Sequence, residues 1–139
     1  FFSDLWHGVD DAPYASLRVL QEIGRRGGGI NKFLKDLPKF YTSPEIRIDC
    51  DDFKKFEIIK IVKDEVSKSY PQSNINTIDG IRVSSINGWW LLRASNTQAA
   101  IIARAEGINN DSLKILTDEL SNYLKLVDIQ WSYEDLKVL

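Results

Sequence analysis

The sequence predicts an α+β fold in which two helices cover one face of an antiparallel sheet, in the order β-α-β-β-β-β-α. Three observations indicate it. Four short apolar runs follow one another between residues 75 and 105. Asp-Gly and Asn-Gly pairs separate the first three runs, and such pairs are typical of β-hairpins. A stripe of apolar residues at helical spacing lies before the runs and another lies after them.

Residues 1–40 are predicted to be the helical remnant of a preceding α/β domain, with a possible strand at Phe1–Leu5. Asp10 or Asp11 caps a helix that has Pro13 in its first turn. One face of this helix carries Tyr14, Leu17, Leu20 and Ile23, and a second short helix after the glycines of 24–29 carries Ile30, Phe33, Leu34 and Leu37. These elements bury too little surface to fold alone, so we expect them to pack against a sheet outside this chain.

Residues 41–127 are predicted to form the second domain, entered through a linker at 39–43 between Pro38 and Pro44. Ile46–Cys50 alternates apolar and polar residues, as a half-buried strand does. Asp51 or Asp52 then caps a helix. The residues predicted to be on its buried face are Phe56, Ile59, Val62 and Val66.

The four runs after Pro71 are predicted to form an antiparallel meander. They are Ile75–Ile78, Ile81–Ile86, Trp89–Ala94 and Ala99–Ala105. A final helix opens at Asn110 or Asp111, and its buried stripe consists of Leu113, Leu116, Leu120, Leu124 and Val127. The tail at 128–139 has no clear period, so it is either a docking strand or a mobile end.

Composition excludes several classes of protein. Eighteen Lys and Arg against 20 Asp and Glu give a formal charge of −2, which disfavours a general nucleic-acid binder. The longest apolar runs are far shorter than the roughly 20 residues of a membrane span. Cys50 is the only cysteine and no signal peptide precedes it, so the sequence predicts a cytoplasmic protein. The chain contains no methionine, which predicts that it is a piece of a larger one.

The segment Arg93-Ala94-Ser95-Asn96-Thr97 is the strongest candidate for a binding site. It places a guanidinium at the end of a central strand and two hydroxyls and an amide at the tip of a hairpin. A phosphate dianion needs such a set: a planar fork of N–H donors, hydroxyl and amide donors, and the backbone N–H groups of a tight turn. The alternative is an ordinary surface turn, because Ser, Asn and Thr are common turn residues.

This segment resembles the C-terminal phosphate-binding loop of the α-D-phosphohexomutase family, in its phosphomannomutase/phosphoglucomutase branch. Arg104-Ala105-Glu106-Gly107 after it, Ser43-Pro44-Glu45-Ile46-Arg47 and Asp79-Gly80 fit the same pattern. The beginning of the chain resembles the stretch that follows the family's sugar-recognition loop in its third domain, through Phe1-Phe2, Trp6, Gly8, Asp10-Asp11, Tyr14 and Arg18. The chain would then be the end of the third domain plus the fourth.

The resemblance implies a function for each part of the site. In such enzymes a phosphoserine donates its phosphoryl group to a hexose monophosphate, a hexose 1,6-bisphosphate forms and reorients, and Mg²⁺ assists. The fourth domain holds the phosphate that is not transferred, which maps onto Arg93, Ser95, Asn96 and Thr97, with Arg104 a weaker candidate for supporting the loop. No catalytic residue and no metal ligand is expected in this chain.

The loops that would carry the phosphoserine, the metal and sugar recognition are absent, so we expect the chain to be inactive by itself. Its expected partners are the hexose phosphate and the missing N-terminal domains of the same enzyme, and neither nucleic acid nor a membrane. Gln98-Ala99 departs from relatives that often carry Glu-Pro or Thr-Pro there. A phosphoglucosamine mutase is the competing assignment within the family, but its loop usually reads Ser-Gly-Thr, and Asn96 argues against it.

Two alternatives come from outside the family. The order of elements is TATA-binding-protein-like, and Trp89, Trp90, Arg82 and Arg93 would give a nucleic-acid-binding sheet, although adjacent strand residues point to opposite faces. A protein interaction module with no ligand is the other. His7 is interpreted as a structural or surface residue, Cys50 as part of the core, and the Asp10-Asp11 and Asp51-Asp52 pairs as helix caps and not metal ligands.

Overall fold

The computed structural model describes residues 4–131 and divides into two compact units, with the chain passing from one to the other between Lys39 and Phe40. The helices are α1 (Ala12–Arg26), α2 (Gly29–Lys35), α3 (Lys55–Ser69) and α4 (Asn110–Lys125), with a 3₁₀ turn at Gln72–Asn74. The strands are β1 (Tyr41–Thr42), β2 (Ile46–Asp49), β3 (Ile75–Asn76), β4 (Ile81–Ser85), β5 (Gly88–Ala94) and β6 (Ala100–Gly107).

The first unit contains the two predicted helices. Asp11 caps α1, its carboxylate accepting from the backbone N–H of Tyr14 at 2.8 Å. Neither helix contains a buried residue, and Leu17 and Leu20 are 64% and 63% exposed. α2 ends at Lys35, so Leu37 lies beyond the helix predicted for it. Of the possible strand at 1–5, residues 1–3 lie outside the described part, and Asp4 and Leu5 are not in a strand.

The second unit is built on one antiparallel sheet. The strand order is β1-β6-β5-β4-β3, and β2 pairs with the same edge of β6 as β1. β3 to β6 form the predicted meander, each strand hydrogen-bonded to the next. In the second hairpin Ser85 pairs with Gly88, so the two turn residues are Ile86 and Asn87.

One strand was not predicted. Tyr41 and Thr42 pair with Gly107 and Glu106, so the interpretation of 39–43 as a linker is wrong for its last three residues. Ser43 is 3% exposed and exchanges two hydrogen bonds with Ala105, both of 2.9 Å, one through its backbone N–H and one through its hydroxyl oxygen. These contacts attach the start of the unit to β6.

Both helices of this unit cover the same face of the sheet, which confirms the predicted layers; α3 packs on β5 and α4 on β5 and β6. The core between them holds Ile81, Val83, Trp90 and Leu92 of the sheet, and Val62, Val66, Leu113, Leu116, Leu120 and Leu124 of the helices. Asn109 caps α4 by accepting from Ser112 N–H at 2.7 Å. Beyond α4, Ile129 and Trp131 pack against this core, and the rest of the predicted tail, 132–139, lies outside the described residues.

The start of α3 differs from the prediction. Asp51 accepts from Phe53 N–H at 2.8 Å within a turn that precedes the helix, so neither Asp51 nor Asp52 is the cap of α3. The buried stripe begins at Lys55, which is 4% exposed, whereas Phe56 is 62% exposed. The prediction for Phe56 is therefore wrong, and a lysine occupies the place where an apolar residue was expected.

Candidate functional site

The candidate loop, residues 95–99, joins the ends of β5 and β6. Backbone hydrogen bonds fasten it at both ends: Ser95 N–H donates to Ala100 O and Ala100 N–H donates to Gln98 O, both at 2.9 Å. The N–H of Cys50, just after β2, donates to Ala99 O at 3.1 Å. The loop is therefore a short, closed connection held to the sheet on two sides.

Polar donors in this loop have no partner within the part of the chain that the structure describes. No hydrogen bond among residues 4–131 involves the hydroxyls of Ser95 and Thr97, the side-chain amide of Asn96, or the backbone N–H groups of Asn96 and Thr97. Ser95 is 7% exposed, and Asn96 and Thr97 are exposed. These groups are the hydroxyl, amide and backbone donors that an anion needs.

Arg93 stands beside the loop on the face of the sheet that carries no helix. Its side chain is 31% exposed, and Nη1 lies 3.8 Å from Oδ2 of Asp79, which is itself mostly exposed. An ion pair this long and this open to solvent contributes little, so it leaves the guanidinium able to bind another anion. Arg93 also borders a shallow cavity of about 310 Å³, lined besides by Asn76, Ile78, Asp79, Arg82 and Leu91.

A glycine allows the close packing around Arg93. Gly80 has φ of +81°, and a Cβ built on it would lie 2.3 Å from Leu92 O and 2.6 Å from the Cβ of Arg93. The turn before β4 is thus pressed against the strand that carries the guanidinium. The Asp79-Gly80 pair supplies both the bend and the nearest carboxylate.

Lys55 belongs to the site, and sequence reasoning missed it. Its Nζ donates to Ser95 O at 2.7 Å and to Gln98 O at 3.2 Å, and it pairs with Oδ1 of Asp52 at 2.6 Å. The available signal was its spacing, because residue 55 falls on the same helical stripe as Ile59, Val62 and Val66. An ammonium in that stripe indicates buried acceptors nearby.

Arg47 is a second missed residue. In the strand register Arg47 and Arg93 both stand opposite Ile102, so the three residues form one row across β2, β6 and β5 on the helix-free face. Arg47 donates from Nη1 to Oε1 of Gln98 and from Nε to Oδ1 of Asp49. A guanidinium therefore stands on each side of the loop, and only knowledge of the register could have revealed this.

Arg104 is not brought to the loop. It pairs with Leu91, which lies two residues before Arg93 in β5 and so further from the loop. Arg104 is exposed, and it forms no hydrogen bond with the loop. Cys50 is half-buried against the core, which raises the pKa of its thiol. His7 is exposed in the first unit, where its ring lies 5.3 Å from that of Trp6.

The aromatic residues proposed for nucleic-acid binding are separated by the sheet. Trp90 is fully buried, whereas Trp89 is on the opposite face. The guanidinium carbon of Arg82 lies 4.6 Å from the centre of the Trp89 ring, and Trp89 Nε1 donates to Oε1 of Glu106 at 3.1 Å. One face of the half-buried Trp89 indole is therefore already occupied.

Residues 4–131 contain neither a cluster of metal-binding side chains nor a helix that could span a membrane. Nowhere in that range do three or more His, Cys, Asp or Glu side chains come together in a way that could hold a metal ion. Within the same range, every helix is too short or too polar to cross a membrane.

The fold is that of an α+β domain, in which two helices cover one face of an antiparallel sheet and a donor-rich loop joins two of its strands. Comparison with known proteins identifies the family. Residues 45–122 match the family model described as the phosphoglucomutase/phosphomannomutase C-terminal domain. The chain belongs to this family, as the resemblance in the sequence predicted.

Relatives support this membership. The chain is 32% identical to a phosphomannomutase/phosphoglucomutase of Pseudomonas putida and also to one of Pseudomonas aeruginosa, in each case over 92% of this chain and 27% of the relative. It is 30% identical to a probable phosphoglucosamine mutase of Pyrococcus horikoshii over 88% of the chain. A crystal structure of a phosphoglucomutase/phosphomannomutase family protein from Burkholderia thailandensis has a TM-score of 0.73, with 26% identity over 92% of this chain and 26% of that one. The chain spans about a quarter of these proteins' lengths.

Proposed function

We propose that this chain is the C-terminal part of a phosphomannomutase/phosphoglucomutase, and that its loop holds the phosphate of the sugar that is not being transferred. The observation that carries the proposal is a set of donors without a partner among residues 4–131, beside the partly exposed guanidinium of Arg93. They are the hydroxyls of Ser95 and Thr97, the side-chain amide of Asn96 and the N–H groups of Asn96 and Thr97. The family to which the chain belongs supports it.

The chemistry of this loop is suited to gripping a phosphate and not to transferring one. Arg93 supplies a planar fork for two phosphate oxygens, and the hydroxyls and amides of residues 95–97 supply neutral donors for the third. Each charge-assisted hydrogen bond is worth about 1.5–3 kcal/mol. Because a hexose 1-phosphate and a hexose 6-phosphate share only the phosphate and the sugar ring, a site that grips the phosphate serves both orientations of the substrate.

The bond-making chemistry is assigned to parts of a longer enzyme. There a phosphoserine would give its phosphoryl group to the hexose monophosphate and recover one from the hexose 1,6-bisphosphate, with Mg²⁺ stabilising the charge that is transferred. Residues 4–131 of this chain contain no group of three or more His, Cys, Asp or Glu side chains that could hold Mg²⁺, so we assign the ion to another part of the enzyme. The partners we propose are the sugar phosphate and the remaining domains of the same cytoplasmic enzyme.

Titration of the 139-residue chain with mannose 1-phosphate or glucose 1-phosphate tests the proposal. We expect the backbone amide resonances of residues 95–98 to shift, and the Arg93→Ala variant to respond at least tenfold more weakly. Lys60→Ala, which removes one exposed charge from α3, is the matched control and should behave as the wild type. If the amides of 95–98 do not move at tens of millimolar sugar phosphate, the chain is an interaction module without this site.

The purified chain should not interconvert hexose 1-phosphate and hexose 6-phosphate by itself, because the resemblance assigns the phosphoserine and the metal to other domains. A coupled assay with the chain alone measures this, and turnover that survives repurification would contradict the proposal.

A phosphoglucosamine mutase is the second candidate, since a probable enzyme of that name is among the relatives. The side chain of Asn96 still argues against it. Rates of the longer enzyme with glucosamine, glucose and mannose 1-phosphates would decide between the two, a preference for glucosamine 1-phosphate favouring the second candidate.

A further inference from the structure

We propose that Lys55 is a positioning residue of the phosphate loop: it turns the two peptide groups at the ends of the loop so that their N–H groups face outward, toward the anion. The part of this inference that concerns phosphate rests on the proposed function above. The part that concerns the orientation of the loop stands on the contacts of Lys55 alone.

The ammonium of Lys55 is fully engaged. It has three protons, and three oxygens lie within reach: Ser95 O at 2.7 Å, Gln98 O at 3.2 Å and Oδ1 of Asp52 at 2.6 Å. Two of these oxygens are main-chain carbonyls of one loop, about 40 residues away along the chain. The third belongs to a carboxylate that balances the charge.

Burial makes these contacts significant. Lysine is almost never fully buried unless its charge is paired, yet Lys55 is 4% exposed and stands where the apolar stripe of α3 begins. In such a place each unsatisfied polar group is costly, so the ammonium and the two carbonyls hold one another in place. The neighbouring Phe56, the residue better suited to a core, remains in solvent.

Because the peptide group is planar, a contact that fixes its C=O also fixes the direction of its N–H. Every described peptide bond is trans, and in a trans peptide the C=O of one residue and the N–H of the next point in opposite directions. Ser95 O and Gln98 O point inward to Lys55, so the N–H groups of Asn96 and Ala99 point away from it. Neither N–H has an acceptor among residues 4–131.

Two measurements on the 139-residue chain test the role of Lys55. In Lys55→Met, which keeps the aliphatic stem, we expect the hydrogen exchange of the Ser95 and Ala100 amides to become at least tenfold faster and the dissociation constant for inorganic phosphate at the loop to rise at least tenfold. Lys55→Arg, which keeps a cation with several donors, should recover a substantial part of both losses.

Val66→Ala separates positioning from general destabilisation. Val66 is fully buried in the same helix and does not touch the loop, so this variant should lower the unfolding temperature without changing the phosphate affinity. If Lys55→Met fails to fold, Asp52→Asn and Lys55→Arg carry the test: the first should leave the loop amides unchanged because the carbonyl contacts remain.

The outcomes distinguish the two proposals. A wild-type chain that does not respond to phosphate overturns the proposed function, while the exchange rates still decide the role of Lys55. Three results would overturn the positioning role of Lys55. The first is unchanged hydrogen exchange in Lys55→Met, and the second is a loss of phosphate affinity in Val66→Ala equal to that in Lys55→Met. The third is a displacement of the loop resonances by Asp52→Asn as large as that caused by Lys55→Met.

Discussion

Gly80 and Arg93 are in backbone contact: a Cβ atom at position 80 would lie 2.7 Å from the Cα of Arg93. The residue that carries the guanidinium is thus packed directly against the turn that precedes β4. This contact makes Gly80 part of the structural support of the site, although it has no side chain.

Gly80→Ala should destabilise the second unit by about 1–3 kcal/mol, because the new methyl group meets main-chain atoms and the residue has φ of +81°. It should also weaken phosphate binding at the loop, since β5 must shift where Arg93 is carried. Urea unfolding and phosphate titration measure the two effects. Gly24→Ala is the control: a Cβ there meets no atom within 4 Å, so α1 should tolerate it. Equal stability of Gly80→Ala and wild type would refute the clash.

Arg93→Ala in the full-length enzyme should lower kcat/KM by about 10–100-fold, chiefly through a higher KM, since one charge-assisted contact with the held phosphate is lost. Arg93→Lys should recover only part of this, because an ammonium cannot make the bidentate contact. Steady-state kinetics with both hexose 1-phosphates provide the measurement. An unchanged kcat/KM in Arg93→Ala would remove Arg93 from the site.

Asn96→Asp should reduce phosphate affinity at least tenfold while the fold is retained, because it replaces an amide donor by a carboxylate at an exposed position and adds repulsion. The matched control is Asn110→Asp, the same change at the exposed first residue of α4, where a negative charge is favourable. Titration with inorganic phosphate, checked by circular dichroism, compares them. Similar affinities for the two variants would place the anion elsewhere.

Tyr70 should make the second unit sensitive to alkali. Burial, and then a hydrogen bond with Glu119, raise the pKa of Tyr70 well above its ordinary value near 10. Above pH 10 the unfolded chain loses this proton while the folded chain keeps it, so the free energy of unfolding falls as the pH rises.

The test is urea unfolding between pH 9 and pH 11. Tyr70→Phe should show a shallower decline in stability than the wild type, whereas Tyr41→Phe, at an exposed position, should follow the wild type. Identical declines in all three proteins would show that Tyr70 does not contribute.

Local patterns were enough to predict most of the second unit. The meander follows from apolar runs separated by turn residues, and α4 from an apolar stripe after Asn110 or Asp111, where the helix was predicted to open; the capping residue is Asn109. β1 was missed because Tyr41 and Thr42, although both residue types are common in strands, form a run of only two residues between Pro38 and Pro44. Their extended conformation comes from pairing with Gly107 and Glu106, more than 60 residues away.

The site was predictable only where its residues are adjacent in sequence. Arg93 to Thr97 form one continuous segment, so their chemistry could be recognised without a fold. Lys55 and Arg47 reach the loop across the sheet, through contacts and a register that no local pattern specifies. A local pattern of hydrophobicity also placed Phe56 in the core. Such a pattern contains no information about the two loop carbonyls that require a buried donor, which is Lys55.

The loop separates what anchors it from what it displays. The carbonyls of Ser95, Gln98 and Ala99 and the N–H of Ser95 form the hydrogen bonds that attach the loop. The side chains of Asn96 and Thr97 make no hydrogen bond within residues 4–131. Substitutions of Asn96 and Thr97 should therefore change the free energy of unfolding little. Substitution of Asn96 and Thr97 would therefore change the donors that the loop presents to an anion while the rest of the domain keeps its structure.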